Sequence, residues 1–130
     1  QALRESGMKA GETDVISASA NGSPGGDAAE ADALELLLGP DNSHTVVSAI
    51  KSLTGETLAA AGPLQMIAAL EMISAGRVPP VANLEAPEPG HLAFPGPGER
   101  REVRQVLINS VDPGGAQISF VLRAPDGEDL

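Results

Sequence analysis

The sequence predicts an α/β domain in which a mixed, mostly parallel sheet is covered by helices. Three observations carry this reading. Two short apolar runs, residues 15–18 and 45–49, are each followed by a helical pattern, the arrangement that returns a chain to a parallel sheet. Across residues 47–80 the chain passes from strand through a Lys-bearing loop with a glycine into a long, alanine-rich, almost wholly apolar helix. Near the end, two β-rich runs joined by Asp112-Pro113-Gly114-Gly115 read as an antiparallel hairpin.

Taken in order, residues 1–11 read as the end of a helix closed by Gly7 or Gly11. Residues 15–18 form a short buried strand, and Asn21-Gly22-Ser23-Pro24-Gly25-Gly26 combines strong breakers into a loop. A helix follows over 27–38, with Asp27 as cap, Glu30 completing a capping box and Gly39-Pro40 as stop. Residues 45–49 are the second strand. The apolar helix covers 57–75 and ends at Gly76; Pro63 predicts either a kink or a later start. Its side chains, from Leu58 to Ile73, leave little polar face, so it should be buried on most sides. Residues 79–97 hold six prolines and should cross the surface without regular structure. Residues 102–111 and 117–124 make the hairpin strands. The domain spans 1–125, and 126–130 should fray.

At 130 residues the chain suffices for one domain. The absence of cysteine excludes disulfides and thiolate metal ligands and fits a reducing cytoplasm. No run of about 18 apolar residues is free of charge, and the polar start, with Gln1 rather than Met, fits a piece of a longer chain rather than a signal peptide. A net charge of −10, only eight basic residues and no Trp or Tyr argue against nucleic acid as a partner. His44 and His91 sit beside turn residues without a companion at metal-ligand spacing and read as exposed side chains; no metal site is expected. Nucleophile-elbow, Walker and zinc-protease patterns are absent, and the glycine-rich loop lacks the Lys of a phosphate loop.

Three segments do resemble one family, in its order. Lys51-Ser52-Leu53-Thr54-Gly55-Glu56-Thr57 followed by Ala60-Ala61-Gly62 is similar to the K-S-x-x-G-H-T and A-A-G helix of β-ketoacyl synthases, with Glu56 at the histidine. Residues 14–27 align without a gap to D-Y-V-N-A-H-G-T-G-T-P-L-G-D. There Ser19 takes the second histidine position, and Asn21 and Ser23 take the threonines. Residues 109–122 resemble the closing N-S-F-G-F-G-G-T-N pair, keeping Asn109, Ser110, Gly114 and Gly115 but placing Asp112, Pro113 and Gln117 where the family has Gly, Phe and Asn.

The resemblance implies the C-terminal half of a thiolase-like fold, lacking its first strand, with the apolar helix at the molecule's centre. It implies a five-stranded sheet with that first strand in the middle. Either another segment fills the gap, or residues 15–18 pair directly with 102–111. In such enzymes two imidazoles polarise the malonyl thioester carbonyl, and a cysteine from the other half is the nucleophile. Here Ser19 offers one hydroxyl, and an ionised Glu56 would accept rather than donate. A protonated Glu56 would donate, but Lys51 opposes that. Lys51 matches the family lysine and should pair with Glu30, with Asp27 and Glu56 close by. Asn21 and Ser23 are expected to contact a phosphopantetheine arm, and Pro113 disturbs the loop that gates the family's site.

The resulting expectation is a non-catalytic relative of the chain-length-factor type, cytoplasmic and without a cofactor, meeting phosphopantetheine-linked acyl groups only as substrate. Its partners would be a catalytic ketosynthase in a dimer, the rest of its own chain, and an acyl carrier protein reaching the Arg100, Arg101 and Arg104 cluster or Arg77. The rival is a divergent ketosynthase or acyltransferase that uses Ser19 or Glu56. Alone, the 130 residues should expose apolar surface and self-associate.

Overall fold

The computed structural model describes residues 1–87, 90–112 and 114–125. Four strands, β1 (Val15–Ser17), β2 (Val46–Ser48), β3 (Gln105–Val111) and β4 (Gln117–Arg123), form one sheet in the order β2-β1-β3-β4. β1 is parallel to β2 and to β3, pairing Val15 with Val46 on one side and Val106 on the other. β4 returns antiparallel, Gln105 opposite Arg123. β1 and β3 are direct neighbours: Asp14 N–H donates to Gln105 O at 3.0 Å. Of the two arrangements expected for a chain lacking the family's first strand, direct pairing of residues 15–18 with the 102–111 run is the one formed, and among the described residues the sheet's open side is the outer edge of β4.

Both faces of the sheet are covered, which explains why β1 and β2 read as unbroken apolar runs rather than alternating ones. Val15, Val46, Val106 and Ile108 turn toward helix α4 (Ala61–Ala75) and meet Ala69 and Met72. Ile16, Val47 and Leu107 point the other way, against Leu34 of α2 (Pro24–Leu38) and against Ala2 and Leu3 of α1 (Ala2–Glu5).

α2 begins three residues before the expected start because Pro24, with its preset φ and no N–H to leave unpaired, suits the first helical position. That frees the two carboxylates assigned to capping. Asp27 accepts the Gly22 N–H, while Glu30 reaches back to the exit of β1, so no capping box forms. The apolar helix also splits as its proline suggested. A 3₁₀ turn covers Leu58–Ala60, and α4 proper starts at Ala61, leaving Pro63 in the first turn. Gly76 closes it in the left-handed region, φ 60°, donating to Met72 O.

Burial of α4 is one-sided. Ala61, Gln65, Ala69 and Met72 are buried, whereas Ile67 and Leu70 are 56% and 53% exposed, because only one face of the helix meets the sheet. Leu58–Ala75 is long and apolar enough to cross a bilayer by length and composition; Glu71 interrupts it, and one stripe of it packs against the sheet. Between α4 and β3 the described chain has only isolated pairings, but one closes the β2 edge through Val47 N–H to Ala93 O, 2.8 Å. The β3–β4 turn is tied by Asp112 N–H to Ala116 O and Gly115 N–H to Asp112 O, each 2.8 Å. Pro113, with its expected effect on gating, and the tail at 126–130 lie outside the described residues.

Candidate active site

The site lies at the carboxyl ends of β1 and β3, where the two strands part, the usual position for a cleft in a parallel sheet. Ser19 follows β1 and is 2% exposed. Its hydroxyl donates to Val111 O at 3.3 Å and accepts from Val111 N–H at 3.0 Å, with Lys51 Nζ at 3.5 Å. Val111 thus meets the hydroxyl with both its N–H and its carbonyl.

Glu30, from the second turn of α2, gathers the strand exits. It accepts the N–H groups of Ser19 and Ala20 at 2.9 and 2.8 Å and the side-chain amide of Asn109 at 2.5 Å. Ala20 takes a positive φ of 35°, a strained turn that those two bonds hold.

Lys51 opens a short helix, α3 (Lys51–Thr54), and its side chain is 7% exposed. It pairs with Glu56 at 2.8 Å and not with Glu30, which corrects the expected Lys51–Glu30 bridge. Glu30 is committed to backbone donors on the other side of Ser19, and Gly55, at φ 75°, turns Glu56 back over the lysine. Glu56 also accepts Leu58 N–H at 2.7 Å. The Lys51 ammonium first, and that N–H second, hold the Glu56 carboxyl below its ordinary range, so at neutral pH it is an ionised acceptor.

An open cleft of about 290 Å³ lies in front of this pair. It brings together Asn21, Asp27, Lys51 and Glu56, with Ser52 and Val81; Ser19, Ser23 and Glu30 do not line it. Asn21 Oδ1 accepts Ser23 N–H, and among the described residues nothing engages the Asn21 amide nitrogen or the Ser23 hydroxyl. Both remain open to a ligand.

Sequence reading missed two features. Gln65, 1% exposed, sends its amide between β1 and β3; the available signal was a polar residue on the Ala61, Ala69, Met72 stripe. His44, exposed as expected, also lies 2.6 Å from Asp14, whose other oxygen accepts Arg104 and Gln105 N–H at the opposite end of the sheet. No local pattern signals that pair, thirty residues apart.

Comparison with known proteins agrees with this geometry. Residues 1–85 match the family described as β-ketoacyl synthase, C-terminal domain. A 3-oxoacyl-[acyl-carrier-protein] synthase 2 of Coxiella burnetii is 36% identical over 123 residues, 92% of this chain and 30% of that protein. The ishigamide ketosynthase/chain length factor superposes with a TM-score of 0.87 at 28% identity, covering 95% of this chain and 31% of that one. A type II polyketide synthase ketosynthase, AntDE, solved with its acyl carrier protein AntF and bound to the hexaketide, gives 0.86 at 26%, again over 95% and 31%. The chain thus spans 30% of the length of the curated relatives it matches first. With the family match over residues 1–85 and a fold that superposes on these proteins, the chain belongs to the β-ketoacyl synthase family and carries its C-terminal domain.

Proposed function

We propose that the whole protein is a non-catalytic, chain-length-factor-type subunit of polyketide or fatty-acid synthesis that pairs with an active ketosynthase in the cytoplasm. The observation that carries this is the Lys51–Glu56 ion pair at a histidine position. Decarboxylative condensation needs neutral donors aimed at a developing enolate oxygen. An ionised carboxylate presents negative charge there instead, and the Ser19 hydroxyl already bonds Val111. The similar ketosynthase/chain length factor supports the kind of partner, and the AntDE:AntF complex supports an acyl carrier protein as donor. Asn21 and Ser23 then touch the phosphopantetheine arm of acyl groups held in the paired tunnel, and no cofactor of the protein's own takes part.

The test uses the complete protein. Purified alone it should neither decarboxylate malonyl thioesters nor elongate acyl thioesters; with a catalytic ketosynthase, elongation should appear and survive Ser19→Ala or Glu56→Gln. Elongation by the lone protein, lost on either substitution, would establish the rival reading of a divergent acyltransferase.

A further inference from the structure

The buried stripe of α4 is apolar except at Gln65, and the exception falls where the sheet opens. β1 and β3 stay in register through Ser17 and Ile108. Beyond that pair Ala18 leans to β2, its N–H donating to Ser48 O, while Asn109 stays opposite Ser119 of β4. The divergence leaves the carbonyls of Ala18 and Asn109 without a ladder partner between the strands, and buried carbonyls need a donor.

Gln65 supplies it. Its Nε2 lies 2.9 Å from Ala18 O and 3.1 Å from Asn109 O, one acceptor from each strand, with Ser17 O at 3.3 Å and Ser17 Oγ at 3.2 Å. Three of these neighbours are carbonyl oxygens, so a half-turn of the amide would set oxygen against oxygen. Its own Oε1 is buried with no partner among the described residues. Filling the gap alone would be better served by Leu or Met, because an amide with an orphaned oxygen is costly to bury.

We propose that Gln65 is the positioning residue of the two strand exits behind the cleft. Its N–H groups replace the lost β1–β3 ladder bonds and set the spacing of the two strand exits. Those exits present Ser19 and Val111 to one another and Asn109 to Glu30. The functional meaning rests on reading this cleft as the ketosynthase-type site, one wall of which, residues 20–22, continues from the β1 exit.

Hydrogen exchange by NMR on the complete protein tests it, comparing the parent with Gln65→Met, which keeps volume and removes both donors. Exchange at Ser19, Ala20 and Val111 N–H should rise about tenfold or more, while Asp14 and Val46 at the other end of the strands change by less than about twofold. A uniform rise, the mark of general destabilisation, or no change at all would overturn the proposal. Should the variant fail to fold, the parent decides. The Gln65 side chain should show two distinct, slowly exchanging amide protons close to Ala18 and Asn109; rapid exchange of both would refute it. Elongation by the lone protein would overturn the proposed function and leave these exchange patterns untouched, so the two failures are separable.

Discussion

At the scale of single residues, two carboxylates near Ser19 do different work. Glu30 holds two backbone N–H groups and the Asn109 amide in a part-buried place, so Glu30→Ala strands several donors at once. The expected loss is about 2–4 kcal/mol in urea unfolding. Lys51→Ala should cost clearly less than Glu30→Ala in the same experiment, since its partner Glu56 remains about a third exposed; an equal or larger loss would revive a Lys51–Glu30 bridge. Glu56 also sets a pH signature. Its folded pKa is depressed by Lys51 and the Leu58 N–H, so its contribution is present above the ordinary carboxylate range and disappears as pH falls through the folded value. Glu56→Gln should therefore be the less stable form near neutrality and converge on the parent in acid, read as unfolding midpoints across a pH series.

Elements show how local chemistry and burial divide the labour. α4 tolerates Pro63 only because the preceding turn is 3₁₀ and the proline falls in the first helical turn. Pro63→Ala should accordingly change stability by less than about 1 kcal/mol; a gain of about 3 kcal/mol would instead indicate a proline in the helix interior. Gly76 is different. At φ 60° a side chain is strained, while an added Cβ would make only ordinary contact with Arg101 O at 3.5 Å, so the backbone alone should make Gly76→Ala cost about 1–2 kcal/mol. Helix existence, the proline's consequence and the glycine stop were all legible, because each depends on residues close in sequence. The capping box at Asp27 and Glu30 was legible too, and wrong. Pro24 started the helix earlier, and a pull from β1 and β3 that no local pattern contains took Glu30.

For the molecule as a whole, the consequence lies in what remains uncovered. Leu58, Ile67 and Leu70 along the α4 segment are more than half exposed, as are Leu36 on α2 and Ile118 on the β4 edge strand. Apolar surface of this kind drives association at roughly 25 cal/mol per Å² removed from water. The 130 residues in isolation should therefore sediment as concentration-dependent oligomers. Ile67→Glu with Leu70→Glu should restore a monomer without lowering the thermal midpoint, since both side chains already face solvent. A monodisperse parent at high concentration would contradict this.

The sequence alone determined the family, the alternation of strands and helices, and the hairpin, because periodicity, turn chemistry and ordered motifs are carried by neighbours along the chain. Only the tertiary structure decided the strand order, the partner of Lys51, the Asp14–His44 contact and the place of Gln65. Those depend on which distant segments share a register and which donors a diverging sheet leaves unpaired, and hydrogen-bond demand across the fold is not written in any local stretch.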